Sequence, residues 1–176
     1  MYRQFKLPGF MYLSDIAYTI LATFYTDAYH LYNITYDNEL FDCNDLLDSS
    51  NEIAAYVPLS SLSFQEHPDL QMNYDFGSTY TFHIHFDGIE HVEKRITRKT
   101  PIIMNGIGFG IAEDCSGEFQ QYLDGNEPLV DSSNGRIPLS VAYPAIKDSF
   151  VLSKNQSHTQ SIFSLVKDSY EHHTAF

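Results

Sequence analysis

The chain has 176 residues, and 10 Lys and Arg against 23 Asp and Glu give it a net charge of −13. Hydrophobic residues make up 43% and aromatic residues 15%, which excludes disorder over the whole length and predicts a single domain over residues 1–176. The charge argues against broad nucleic-acid binding, because a phosphate-binding surface needs clustered Lys and Arg.

The first half of the chain predicts one helix followed by strands. Apolar residues recur at helical spacing after Ser14, a candidate N-cap, and period-two alternation then indicates strands. Asp37 and Asn38 predict the turn between the first two strands. The predicted elements are a helix over 14–25, strands over 30–36 and 39–43, and a loop or short helix over 44–52.

The middle of the chain predicts a β-meander. Two alternating stretches flank Gly77 and Ser78, which is typical of a hairpin, and Asp87-Gly88 offers a second tight turn. A glycine-rich segment then leads to a short helix. The predicted elements are strands over 70–76 and 79–87, a third strand over 89–97, a short strand over 101–104, and a helix over 118–123.

The last part of the chain predicts a loop and a helix. Three prolines between residues 126 and 144 indicate an irregular surface excursion. Helical spacing over 159–170 predicts a C-terminal helix that packs on the core. The predicted fold class is α+β, with a mainly antiparallel sheet of hairpins and a helix near each end of the chain packed on it.

Cysteine content and the lengths of the apolar stretches indicate the cellular compartment of the protein. Cys43 and Cys115 are too few for a disulfide framework in a chain of this size, which favours a reducing environment. Pro8 and Asp15 interrupt the N-terminal apolar stretch, so it does not match a signal peptide. The longest membrane-like run, residues 16–25, is about half of the ~20 residues that a spanning helix needs. We therefore expect a cytoplasmic protein without a membrane partner.

Acidic residues are concentrated in the first half. No Lys or Arg occurs from Leu7 to Glu93, a stretch with 14 Asp and Glu. Three interpretations stay open: a solvated surface, a surface for a basic protein partner at residues 37–52, or a mimic of nucleic acid. A basic partner predicts binding that weakens as salt rises.

His83 and His85 occupy alternate positions of a predicted strand and so share one face, where both reach a metal ion if a third ligand joins them. Their neighbours Phe82, Ile84 and Phe86 then point to the core, as in an ordinary strand with a solvated face. The solvated face is favoured, so the sequence predicts no metal at this pair and no cofactor.

Glu113, Asp114 and Cys115 follow the glycine-rich segment. A nucleophilic thiolate needs a neighbouring base or positive charge, and the two carboxylates raise the pKa of a thiol, so a buried structural cysteine is favoured. Asp75, Glu113 and Asp114 bind a hard cation if the fold gathers them. The alternative is that Asp75 and Asp114 accept backbone N–H bonds in turns.

Several short motifs stand in the order of a known family. They are Leu7-Pro8-Gly9, Leu13-Ser14-Asp15-Ile16, Tyr29-His30-Leu31, Tyr74-Asp75-Phe76-Gly77, Ile84 on the returning strand, and Glu113-Asp114-Cys115 with Gly117. Through these motifs residues 5–125 resemble the plasmid pRiA4b ORF-3-like family, also described as a TnpR-type transposon passenger family. Residues 126–176 are then a divergent C-terminal extension.

The resemblance implies a roll-type α+β domain with a curved antiparallel sheet, and it implies no established reaction. Tyr80 stands where the family has Trp, and Phe82 where it has a His, so no role of that His is transferred. Catalytic residues stay unassigned. The candidate functional or motif residues are His30, Asp75, Gly77, Tyr80, Glu113, Asp114, Cys115 and Gly117.

The sequence favours a non-enzymatic binding or accessory module associated with mobile elements, because no complete catalytic set accompanies the motifs. The first alternative is a metal-dependent hydrolase or nuclease in which Asp75, Glu113 and Asp114 hold a divalent ion, with His30 as an optional further ligand. The second is an acidic protein-interaction domain. The hydrolase requires the carboxylates, and His30 where it takes part, to converge in one cleft.

Overall fold

The computed structural model describes residues 1–44, 50–93, 97, 99–133 and 135–172. The strands in this part are β1 (Tyr2–Lys6), β2 (Tyr32–Tyr36), β3 (Glu39–Asp42), β4 (Glu52–Ile53), β5 (Asp69–Tyr74), β6 (Tyr80–His85), β7 (Ile102–Ile107), β8 (Leu129–Ser132) and β9 (Gly135–Pro138). The helices are α1 (Leu13–Thr23), α2 (Ser116–Leu123), α3 (Leu139–Ala142) and α4 (Leu152–His172).

Five strands form the main sheet, in the order β4-β3-β2-β5-β6. All neighbouring strands in it are antiparallel except β3 and β4. Side chains alternate between buried and half-buried along β2, and its Ile34 lies opposite Met72 of β5 with both side chains buried. The predicted α+β class with a mainly antiparallel sheet is confirmed.

The N-terminal helix α1 packs against this sheet and is buried along its whole length. The ring of Tyr18 meets the ring of Tyr32 on β2 edge to face, with centroids 6.2 Å apart. The predicted cap is wrong, because Ser14 lies inside the helix. The carboxylate of Asp15 caps the end instead, by accepting the N–H of Tyr12 at 2.8 Å.

The C-terminal helix α4 packs along α1. Phe163 and Tyr170 are buried, and the ring of Tyr170 stacks on that of Tyr18 with centroids 5.7 Å apart. Buried Asn155, near the start of α4, donates a hydrogen bond to the carbonyl of Thr23 at the end of α1. The predicted helix at this position is confirmed, and it begins earlier than residue 159.

The chain leaves the main sheet after β6. Side chains of the next segment contact β1 instead: Asp87 accepts a hydrogen bond from Gln4, and Glu90 pairs with Lys6. These contacts to a distant strand replace backbone pairing with β6. The predicted third strand over 89–97 is therefore wrong in its described part, and its remainder lies outside the described residues.

The predicted short strand over 101–104 is present as β7, which continues to Ile107. It pairs with β1 in a separate two-stranded sheet rather than with the hairpin. Arg3 on β1 joins this small sheet to α1, since its guanidinium donates to the carbonyls of Thr23 and Phe109.

Residues 126–144 are more regular than predicted. β8 and β9 form an antiparallel hairpin, and α3 follows directly. The carboxylate of Glu127 accepts the N–H and the hydroxyl of Ser140 at 3.0 and 2.8 Å, which ties the start of the hairpin to α3. Pro138 ends β9 rather than interrupting it, so the proline content does not indicate irregularity here.

The predicted loop or short helix over 44–52 lies largely outside the described residues. At its end, Glu52 begins the short strand β4 beside β3. Over the part of the chain that the structure describes, none of the helices has the length and apolar character needed to cross a membrane.

Candidate metal centre

Three residues with metal-binding side chains, His30, Asp75 and Asp114, meet at one end of the β2–β5 pair. One ligand atom from each lies within 4.8 Å of the other two. Nε2 of His30 is 3.3 Å from Oδ2 of Asp114, and Nδ1 is 3.7 Å from Oδ1 of Asp75. The fold therefore gathers two of the three carboxylates that the hydrolase hypothesis requires, together with the optional ligand His30.

The register of β2 and β5 explains why His30 and Asp75 are neighbours. Tyr32 lies opposite Tyr74 at the end of the ladder, and the N–H of Asp75 donates to the carbonyl of Leu31 at 3.1 Å. His30 precedes β2 and Asp75 follows β5, so the two residues leave the antiparallel pair at the same end.

Both aspartates lie in turns with a left-handed backbone. The φ angles are 55° at Asp75 and 56° at Asp114. Asp is one of the few residues other than glycine that adopts this conformation readily. One turn starts the loop between β5 and β6 and the other precedes α2, and each brings a carboxylate next to His30.

The carboxylate of Asp75 is buried and anchored by the backbone. Oδ1 accepts the N–H of Ser78 at 3.3 Å, and Oδ2 accepts the N–H of Asp114 at 3.4 Å. Burial raises the pKa of Asp75, but these donors and His30 outweigh burial and hold the pKa below its ordinary value. Asp75 is therefore ionised at neutral pH.

The carboxylate of Asp114 faces His30 and the hydroxyl of Tyr29. Its side chain is 58% exposed, against 3% for Asp75, so the ligand group opens to solvent on the Asp114 side. Tyr29 lies against the ring of His30, with centroids 4.5 Å apart. Burial and the carboxylates of Glu113 and Asp114 raise the pKa of Tyr29 to about 12, so its phenol stays protonated.

His30 is held at its backbone, and its ring nitrogens face the two carboxylates. The hydroxyl of Tyr170 donates to the His30 carbonyl at 2.5 Å, and the ring of Tyr74 meets the imidazole edge to face. Nε2 is inaccessible to solvent and makes no hydrogen bond within the described residues, although Asp114 is close. A buried polar atom without a hydrogen bond is unusual in proteins, and a bound ion is one explanation for it.

Glu113 does not join the ligand group. Its side chain is buried, and its carboxylate accepts the backbone N–H groups of Asp27 and Ala28 and the hydroxyl of Tyr74. Burial raises the pKa of Glu113 above its ordinary value despite these donors. The structure thus separates Glu113 from His30, Asp75 and Asp114, with which the sequence hypothesis grouped it.

Gly77 lies in the turn after Asp75, and Tyr80 begins β6. A Cβ at position 77 would lie 3.4 Å from Oδ1 of Asp75, an ordinary van der Waals contact. The hydroxyl of Tyr80 donates to the carbonyl of Ala112, which joins β6 to the segment before Asp114. Neither residue supplies a ligand atom to the group.

Cys115 and Gly117 lie beyond Asp114 along the chain. Cys115 is buried, its Sγ is 3.8 Å from the hydroxyl of Tyr143, and burial raises the pKa of its thiol. A protonated buried thiol agrees with the structural role that the sequence favours. A Cβ added at Gly117 would meet no atom within 4 Å among the described residues, so the space around it does not require glycine.

His83 and His85 lie on the exposed face of β6, as the alternation predicts. Asp69 lies opposite His85 on β5, and its carboxylate is 2.7 Å from Nδ1. Neither histidine belongs to a group of three metal-binding side chains in the described residues. Phe82, at the family's His position, packs its ring against that of Phe24 at the end of α1.

The sequence did not single out the tyrosines that surround the site. Tyr29 and Tyr74 stand beside His30 and Asp75 in the quoted motifs, and that adjacency was the available signal. Tyr170 had no such signal, because it is 140 residues from His30 in the chain.

Comparison with known proteins supports this fold and names a family. A crystal structure of MM3350, a protein of unknown function from Methanosarcina mazei Go1, matches with a TM-score of 0.57 and 18% sequence identity, over 70% of this chain and 74% of that chain. No curated protein matches the chain. The model of the plasmid pRiA4b ORF-3-like protein family matches residues 1–134, about as far as the resemblance in the sequence extends. The chain belongs to the plasmid pRiA4b ORF-3-like protein family.

Proposed function

We propose that this protein is a binding module that holds one divalent transition-metal ion between His30, Asp75 and Asp114. The observation that carries the proposal is the convergence of three ligand atoms within 4.8 Å, one of them from an imidazole whose buried Nε2 makes no hydrogen bond within the described residues. An imidazole with two carboxylates suits first-row ions such as Mn²⁺, Co²⁺ and Zn²⁺, whereas Ca²⁺ and Mg²⁺ prefer oxygen ligands alone.

One pair of the ligand atoms already has the spacing found around an ion. Bonds of about 2.0–2.2 Å in tetrahedral geometry place ligand atoms roughly 3.4 Å apart. His30 Nε2 and Asp114 Oδ2 are already 3.3 Å apart. Asp114 is the most exposed of the three side chains, so it moves toward an ion without disturbing the core. Three protein ligands leave at least one position for water.

The test is calorimetric titration of chelator-treated protein with Zn²⁺, Co²⁺ and Mn²⁺. We expect one ion per chain and at least a tenfold loss of affinity in His30→Gln. His85→Gln is the matched control, because His85 also lies beside an aspartate but on the exposed face of β6. No binding of any of these ions by the wild type, or equal losses in the two variants, contradicts the proposal.

A metal-dependent hydrolase is the second candidate. It is favoured by the exposure of Asp114, since the open side of the site lets water and a substrate reach an ion. The experiment is hydrolysis of bis(p-nitrophenyl) phosphate by the Mn²⁺-loaded and Zn²⁺-loaded protein, with Asp114→Asn as the test variant. Turnover that Asp114→Asn abolishes supports the hydrolase, and metal binding without turnover leaves the binding module.

Two further parts of the sequence hypothesis remain proposals. Exposed Asp37, Glu39 and Glu52 support a surface for a basic protein partner, and binding to such a partner falls as salt rises. Residues 45–49 of that surface lie outside the described residues. Association with mobile elements rests on the family description alone, and it is tested by the genes that flank members of the family.

A further inference from the structure

Glu113 occupies an unusual position beneath the candidate metal centre. It directly precedes Asp114 in the chain, yet its side chain is 1% exposed and contributes no atom to the ligand group. Burial of a carboxylate costs free energy unless hydrogen-bond donors surround it. The contacts of Glu113 therefore have to account for its position in the core.

Its hydrogen bonds reach every segment that carries a ligand. Oε2 accepts the N–H of Asp27 at 3.1 Å, and Oε1 accepts the N–H of Ala28 at 3.2 Å, shortly before His30. Oε1 also accepts the hydroxyl of Tyr74, which directly precedes Asp75. One carboxylate thus connects the backbone before His30, the end of β5 before Asp75, and its own segment before Asp114.

The Glu113 segment is itself held in place. The hydroxyl of Tyr143 donates to the Glu113 carbonyl at 3.0 Å, and the hydroxyl of Tyr80 donates to the carbonyl of the preceding residue, Ala112. A rigid anchor of this kind transmits the position of Glu113 to the three segments that it contacts.

We propose that Glu113 is a positioning residue that fixes His30, Asp75 and Asp114 at the separations that a metal ion requires. The inference rests on the proposed metal site and assigns a role to a residue outside the ligand group. Groups that orient metal ligands typically contribute 10–100-fold to metal affinity. The same network connects the three distant parts of the chain that carry the proposed ligands.

The experiment uses Glu113→Gln and Co²⁺ as the probe. The amide has nearly the shape of the carboxylate, but its NH₂ group faces a donor, so one of the three contacts becomes repulsive. We expect the dissociation constant for Co²⁺ to rise at least tenfold, measured at a temperature where circular dichroism shows the variant folded. We also expect the visible absorption spectrum of bound Co²⁺ to change, because the ligand geometry changes.

Ile103→Ala is the control for a loss of stability alone, because Ile103 is buried in β7, away from the ligand segments. It should lower the melting temperature and leave the Co²⁺ affinity and spectrum unchanged.

Tyr74→Phe removes one donor and should weaken Co²⁺ binding by a smaller factor; if Glu113→Gln does not fold, this variant decides the inference. The inference is overturned if the folded Glu113→Gln protein binds Co²⁺ with the affinity and spectrum of the wild type. If Glu113→Gln does not fold, the same result in Tyr74→Phe overturns it. Failure of the wild type to bind any of Zn²⁺, Co²⁺ and Mn²⁺ overturns the metal site itself.

Discussion

Asp75 and Asp114 each meet a backbone requirement and a chemical one. Their φ angles of 55° and 56° favour Asp, Asn or Gly, and the proposed metal site requires the carboxylate. Asn therefore separates the two requirements, because it adopts the same conformation without the charge. At Asp75 a third requirement is added, since the side chain accepts the N–H groups of Ser78 and Asp114.

Substitution of Asp75 separates these contributions in the metal-free protein. Asp75→Ala leaves two backbone N–H groups without their acceptor and places alanine in a left-handed conformation, so we expect a loss of about 1–3 kcal/mol in the free energy of unfolding. Asp75→Asn keeps the conformation and one of the two acceptors, while its NH₂ group faces the other N–H, so we expect a smaller loss than in Asp75→Ala. Urea denaturation in the presence of a chelator measures both. Equal losses would show that the turn does not depend on the side-chain acceptor.

At the scale of elements, the contact between α1 and α4 contains a titratable group. His158 on α4 is half-buried, and its ring lies 4.4 Å from that of Tyr25, just beyond α1. Burial lowers the pKa of His158 below its ordinary value of 6.5; a hydrogen bond with the backbone of Ala22 opposes this, and nearby Lys154 adds to it. Near pH 6 the unfolded chain therefore binds more protons than the folded chain.

The sign of the pH dependence follows from this difference. The stabilisation is present above the unfolded pKa of 6.5 and is lost as pH falls through the lower folded pKa. We expect the free energy of unfolding to decrease as pH is lowered from about 7.5 to about 5. In His158→Gln this decrease should be smaller. His172→Gln, on the same helix but exposed, is the control and should leave the slope unchanged. Urea denaturation across this pH range measures the free energy of unfolding. The same pH dependence in the wild type and in His158→Gln would show that His158 is not its source.

Elements with local signals were predictable from the sequence, and elements that depend on distant contacts were not. The periodicity of α1 and the glycine turn of the β5–β6 hairpin are contained in neighbouring residues, and both elements are present as predicted. The segment after β6 joins β1 through Lys6 and Glu90, which are 84 residues apart, and no local pattern reports that contact.

The same distinction applies to the candidate site. His30, Asp75, Glu113 and Asp114 were identifiable as motif residues, but the sequence did not separate ligands from supporting groups. That separation depends on which way each side chain points from its turn. Glu113 and Asp114 are adjacent in the chain, yet one is 1% exposed in the core and the other faces solvent.

For the whole molecule, the site and the C-terminal helix belong to different parts of the chain. The family match ends at residue 134, so it includes all three proposed ligands and Glu113 but not α4. α4 nevertheless reaches the site, because Tyr170 donates to the carbonyl of His30. We infer that metal binding and the packing of α4 are energetically coupled through this hydrogen bond.

Metal binding should therefore stabilise the entire fold. An ion that binds the native state and not the unfolded chain adds about 2.7 kcal/mol at a free concentration one hundred times its dissociation constant. For a chain of this length, about 1 kcal/mol corresponds to about 2–4 °C, so we expect the melting temperature to rise by about 5–10 °C and to fall again with chelator. Asp114→Asn should keep the metal-free melting temperature and lose most of the rise, since its side chain is exposed and its backbone conformation suits Asn. Thermal denaturation of both proteins with Zn²⁺, and then with excess chelator, measures the effect. An equal rise in wild type and Asp114→Asn would place the stabilising ion elsewhere on the protein.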